Sequence, residues 1–329
     1  MTQKSAAIMV PMDVKFYCAW LSWVAATTTC LNALGVKCDQ ADVAGVSGYA
    51  FNLGINKTLC PSGPTWFDWG MLQWGILTLG RTVAVYQTGE CYVPQNRDDR
   101  NNAQAKTAFE FVKKEIEEGR PCVIWGAYIP EFAVVVGIEG NSYIVKSYRE
   151  FSKEPQPPVP FNELNAPGGI YVLAFPDTGK YDVKLQDKFA LENAVRFFNQ
   201  PSFILHYGKE GYKYWIDELE AGNASSFGIS YNTACYHEGR IFAKEFLKRV
   251  AGRNSFAKDE LMKASKLYEE AENEFKTLTK LFPFPGQQGK NITDKDVVKQ
   301  AVKALKKAKK SECEAMDIVE EVAQMDWLK

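Results

Sequence analysis

Cys18 and Ser22 are the side chains of this sequence best placed to attack a carbonyl. They stand in the opening part of YCAWLSWVAATTTCLNALG, a stretch with no charge between Lys15 and Lys37 that stops at Gly35. Cysteine chemistry needs a thiolate, a base that makes or holds it, and donors for the oxyanion. A helix N-terminus supplies part of this, because its free N–H groups carry partial positive charge. Two helix starts are open: near Tyr17, or at Ser22, whose hydroxyl could cap the first turn. If Ser22 starts the helix, Cys18 falls in the preceding loop and loses most of the dipole's help. Ser22 then reads as an N-cap ahead of a nucleophile. Cys30 lies near the other end, where the dipole opposes a thiolate, and reads as core. Bases are scarce: His206 and His237 are the chain's 2 histidines, and both lie in the second half.

An uncharged stretch of this length could also be a secretory signal or a membrane span. No cationic region precedes it, however, and Ser22, Thr27, Thr28, Thr29 and Asn32 dilute it. A buried helix ending at Gly35 is the reading adopted. Beyond it, residues 42–69 are rich in glycine, proline and aromatics, including Tyr49, Phe51, Trp66 and Trp69. These aromatics read either as core beneath long loops or as a pocket wall. The glycines do not form a phosphate loop, since Gly48 and Gly54 are one residue too far apart and Lys57-Thr58 do not follow Gly54 directly.

Patterning then predicts a helix over Phe67–Leu79, a strand over Thr82–Gln87 and a helix over Ala103–Glu118. Strands follow at Cys122–Tyr128, Phe132–Ile138, Ser142–Tyr148 and Ile170–Phe175, with Glu139-Gly140-Asn141 as a hairpin turn. The run Val134-Val135-Val136 implies a strand covered on both faces. After Tyr181 no strand alternation returns. Helices are expected over Leu185–Phe198, Gly211–Glu220, Thr233–Val250 and Lys258–Phe282, and from an N-cap at Thr293 to about Gln324. The last has a lysine-rich first half and an acidic second half, opposite to what the helix dipole favours. This reads as a solvated face first and as contact with an acidic partner second. The fold class expected is α+β over residues 1–180, followed by an all-helical domain over 181–329.

The formal net charge of -1, with no basic stripe interleaved with aromatics, predicts no nucleic-acid partner. The 8 cysteines are scattered without a C-x-x-C pair, so neither a metal site nor any cofactor is expected. They read as reduced thiols of a cytoplasmic protein with no membrane partner. The sequons at Asn56, Asn223 and Asn291 then carry no meaning.

The segments SWVAATTTCLNALG, DVAGVSGYAF and EEGRPCVIWGAYIPEFAVVVGIEGNSYIVKSY resemble the N-terminal domain of the butirosin-biosynthesis acyltransferase type. That domain is a relative of the bacteriocin leader peptidases in the papain-like superfamily. KEGYKYWIDEL, EGRIFAKEFL and LMKASKLYEEAENEF resemble the helical domain that accompanies it. The resemblance implies a papain-like fold and, in active members, a cysteine nucleophile acting on thioester or peptide acyl groups. Carried over by motif, it puts Ser22 at the cysteine's place, with Cys18 one turn earlier, and Glu131 at the histidine's place. The acid expected on the next strand falls near Ser147. All three positions depart from the active pattern, and a carboxylate of ordinary pKa is a poor base toward a thiol or hydroxyl.

The expected function is therefore a degenerate papain-like site that binds a small molecule or peptide. Its cleft would be bounded by Cys18, Ser22, Tyr49, Phe51, Trp125 and Glu131. The alternatives are an active acyltransferase or peptidase using Cys18 or Ser22, and a scaffold whose helical domain forms a homodimer.

Overall fold

The computed structural model describes residues 6–286 and 292–327. The sequon at Asn291 lies outside the described residues. In chain order the elements begin with β1 (Ile8–Met9), α1 (Ser22–Ala33), α2 (Gln40–Val46), β2 (Gly54–Ile55), α3 (Gly70–Ile76) and β3 (Ala84–Gln87). Next come α4 (Asp99–Glu117), β4 (Cys122–Trp125), β5 (Phe132–Glu139), β6 (Ser142–Lys146), α5 (Arg149–Ser152), β7 (Val159–Pro160) and β8 (Tyr171–Ala174). The rest is α6 (Val183–Phe198), β9 (His206–Tyr207), α7 (Gly208–Glu220), α8 (Ser226–Arg253), α9 (Lys258–Leu281) and α10 (Lys295–Ala323). The protein is thus mixed α+β, with an antiparallel sheet and a helical C-terminal region.

The chain divides into two compact units, residues 1–40 with 79–180 and residues 41–78 with 181–329. The first unit is built on a 7-stranded sheet in the order β3-β8-β4-β5-β6-β7, with β1 added against β5. Every pairing is antiparallel. Strand β5 is buried along nearly its whole length, as its unbroken apolar run requires. The turn into β6 passes through Gly140 at φ 58. Helix α1 packs on β4 and β5, and α4 on β4, β5 and β8.

Helix α1 starts at Ser22, the later of the two starts the sequence allows, and is 12 residues long. It is buried from Trp23 to Leu31. Its end is a Schellman motif: Gly35 at φ 82 donates to Asn32 O, and Val36 donates to Leu31 O, satisfying carbonyls that the last turn leaves open. Among the described residues no helix is long and apolar enough to cross a membrane.

The second unit takes residues 41–78, which the sequence groups with the first 180. Long-range packing explains the difference. Gly45 has no side chain where the Phe246 ring lies, only 2.0 Å from where a Cβ would stand. The Phe51 ring meets Phe246 and Tyr268 edge-on at 6.5 and 5.5 Å. Strand β2 pairs antiparallel with β9, so a short strand does return after Tyr181. The helical core gathers Leu53, Ile55 and Leu59 with Trp215, Phe275 and Leu305.

Several boundaries differ from the pattern. α4 begins at Asp99 because the Asp98 carboxylate accepts from the Asn101 amide, so a polar stretch forms the first turn. α8 begins at Ser226 behind a Ser225 cap. α10 is capped by Asp294, which accepts from the amides of Asp296 and Val297, and not by Thr293.

Within this unit the Arg240 guanidinium and the Glu312 carboxylate, both fully buried, meet at 2.6 Å. A second contact, from Arg240 Nε to Glu312, is 3.0 Å, and Arg240 also donates to Asn52 O at 2.8 Å. The hydroxyls of Tyr212 and Tyr268 donate to the same carboxylate. A buried ion pair is tolerated when its remaining valences are met in this way.

Candidate functional site

Ser22 is the first residue of α1. Leu21 holds the cap position and caps with no side-chain hydrogen bond. The Ser22 hydroxyl does not turn back onto its own helix as an N-cap would. Its Oγ accepts from the backbone N–H of Phe132 at 3.2 Å. The donor is the peptide that joins Glu131 to Phe132, at the point where β5 begins. The helix opening and the strand start therefore meet directly, and Ser22 and Glu131 belong to one place in the fold.

The connection carrying Glu131 is tightly fixed. The Gly126 N–H donates to Glu131 O at 3.1 Å, and the Asn165 N–H donates to Gly126 O at 2.7 Å. Gly126 sits at φ +79, and a Cβ there would lie 2.3 Å from Asn165 O, so glycine is required on both counts. Trp125 is the residue paired in register with Phe132. Its ring lies 4.7 Å from that of Phe132, and its Nε1 donates to Pro167 O at 3.0 Å. With 4% exposure, Trp125 is packed beneath the connection.

Cys18 is exposed and lies in the loop before α1. The Tyr17 N–H donates to Thr29 Oγ1 at 3.0 Å. Thr29 is two turns beyond Ser22, so this anchors the Phe16–Tyr17 peptide about 10 Å along the helix axis from the opening. The Cys18 carbonyl accepts from Gln40 Nε2 at 3.0 Å. The loop thus runs back along the helix at Tyr17 and returns through Cys18 to the opening. Cys30 and Cys122 are fully buried, and burial pushes both thiols well above their ordinary range.

Neither histidine belongs to this unit: His206 is in β9 and His237 in α8. Ser147, where the resemblance would place an acid, is 2% exposed. Its hydroxyl donates to Gln156 Oε1 at 2.8 Å and its amide to the same oxygen at 2.9 Å. Among the described residues no group of three or more His, Cys, Asp or Glu could hold a metal ion.

Tyr49 and Phe51 fall in the other unit, in a short 3-10 turn at Tyr49–Phe51. Tyr49 is 4% exposed and Phe51 fully buried. The Tyr49 hydroxyl donates to Pro64 O at 2.8 Å, and its ring meets that of Phe67 at 5.2 Å. Their rings work as packing in that unit's core. The structure therefore brings together Ser22, Glu131 and Trp125, sets Cys18 in the exposed loop before the helix, and assigns Tyr49 and Phe51 to a separate core.

Sequence reasoning missed the group that meets Ser22, because a backbone amide carries no signature of its own. It also missed Gln40 and Gln156, isolated polar residues outside any motif. No family model matches this chain, and no curated protein matches it.

Proposed function

We propose that residues 1–40 and 79–180 form a papain-like domain whose catalytic constellation is degenerate. It binds a small molecule or a peptide at the opening of α1 without turning it over. One observation carries this reading: the group held against the Ser22 hydroxyl is an N–H donor, the Phe132 amide. A nucleophile's partner must take its proton, and an amide N–H has no lone pair with which to do so. An apolar helix whose first residue faces the start of a central antiparallel strand supports the papain-like assignment. With Ser22 and Glu131 in the two key places, that arrangement lacks the thiol and imidazole of an active site.

Binding remains open to such a site. Trp20 and Ile129, each 40% exposed, precede Ser22 and Glu131 in the chain and offer apolar contacts beside the hydroxyl and the carboxylate. Cys18 adds a polarisable group farther along the loop. Native mass spectrometry of the purified protein tests the reading. A retained small molecule or peptide is expected, and the variants Trp20→Ala and Ile129→Ser should lose it while Phe203→Ser, in the other unit, keeps it. Retention that survives both rim substitutions would overturn the assignment to this site. Steady release of an acid from thioester or peptide substrates, abolished by Ser22→Ala, would overturn the loss of catalysis.

A further inference from the structure

The outward stripe of α10 is divided into two halves of opposite sign. Lys299, Lys303, Lys306 and Lys310 are exposed along it, three or four residues apart and hence on one side of the helix. Past Cys313 the same side continues with Asp317, Glu321 and Gln324, also exposed. The opposite side, through Ala301, Leu305, Ala308, Met316 and Val319, is buried in the unit's core. Lysines toward the N-terminus and acids toward the C-terminus both oppose the helix dipole, so the lone helix gains nothing from this order. Among the described residues, Lys303, Lys310, Asp317 and Glu321 enter no ion pair, whereas Lys299 lies 3.7 Å from Asp296 and Lys306 a loose, exposed 3.8 Å from Glu220, and neighbouring Lys307 reaches Glu274 and Glu314 reaches Lys263. The lysine half also walls an open groove of about 420 Å³ with Val302 at its floor.

We infer that this face docks on a second copy of the chain, with the two α10 helices antiparallel. Laid so, Lys310 comes opposite the partner's Asp317 and Lys306 opposite the partner's Glu321, and the dyad repeats both pairs. The dyad passes close to Cys313. Each lysine half then lies against an acidic half, and each helix supplies the charge its neighbour's dipole lacks. The stripe spans about 33 Å from Lys299 to Glu321 at 1.5 Å per residue. Such a strip buries less than the roughly 800 Å² per partner of a standard stable interface. The dimer is therefore weak, reversible and sensitive to salt.

Sedimentation velocity across protein concentration, at low and high salt, reads this out. Wild type should associate at low salt and dissociate at least about tenfold more readily at 0.5 M salt. Two double variants make the test specific. Lys306→Glu with Lys310→Glu makes all four positions of the proposed pairs acidic, and Asp317→Lys with Glu321→Lys makes all four basic. Each alone should remain monomeric, and mixing the two should restore a heterodimer, since all the proposed pairs then become complementary. Matching circular dichroism spectra would show that both variants keep their fold. Three results would overturn the proposal: a wild type monomeric at every concentration in low salt, either variant dimerising like wild type, or a mixture that stays monomeric. Binding of the lysine half to acidic lipid vesicles by a strictly monomeric wild type would point to a membrane surface in place of a second copy.

Discussion

The Ser22 hydroxyl accepts a hydrogen bond from the Phe132 amide 3.2 Å away. This contact ties the first residue of the buried helix to the first residue of the central strand. The Phe132 amide is a main-chain donor, so it fills one lone pair of the hydroxyl and cannot itself take the hydroxyl's proton.

Removing that acceptor tests the contact itself. Ser22→Ala removes the hydroxyl that accepts from the Phe132 N–H, and losing a hydrogen bond of this kind costs about 0.5–1.5 kcal/mol. The urea midpoint should fall accordingly, while Ser22→Thr, which keeps a hydroxyl, should recover much of the loss. An unchanged midpoint for Ser22→Ala would mean that the helix and strand are not joined at this point.

The buried Arg240–Glu312 pair should dominate the stability of the helical unit. Arg240→Met strands the Glu312 carboxylate in a core where both partners are fully buried. Breaking such a pair costs about 3–5 kcal/mol. The double variant Arg240→Met with Glu312→Leu should be clearly less destabilised than the sum of the single ones, as coupled sites require. Strict additivity in denaturant melts would contradict the pairing.

His237 should make stability depend on pH. Burial lowers its pKa below the ordinary imidazole value; Lys276 and Lys244 add to this and Glu272 opposes it. Because the folded state then resists protonation more than the unfolded one, the full contribution is present above the unfolded value, about pH 6.5. It is lost as pH falls through the lower folded value. Thermal melts should show stability declining from neutrality toward pH 5, and His237→Gln should flatten that part of the curve. An equal slope in wild type and variant would remove His237 as its source.

Much of the first unit can be read from local pattern. The uncharged run bounded by Ser22 and Gly35 specifies α1, and a glycine with φ 82 is what its closing motif demands. The apolar runs around Val123, Val135 and Ile144, with the turn at Gly140, specify the strands. The strands of two residues each, β1, β2, β7 and β9, are too short for alternation to show. The grouping of residues 41–78 with the helices depends on contacts such as that between Gly45 and Phe246, which nothing in the local sequence announces. At the site, residue types were legible but not their roles. Ser22 looked like a cap, yet its hydroxyl is used by a distant amide. Tyr49 and Phe51 looked equally like wall or core, and long-range packing made them core.

Covalent labelling tests the central claim most directly. The protein is treated at pH 7 with a serine-directed fluorophosphonate and, separately, with limiting iodoacetamide, and the adducts are mapped by peptide mass spectrometry. The expected result is no phosphonate on Ser22, and alkylation of Cys18 at a rate within about threefold of Cys91, since both thiols are exposed and an inert site gives Cys18 no advantage. A phosphonate adduct on Ser22, or Cys18 reacting about a hundred times faster than Cys91, would contradict an inert site.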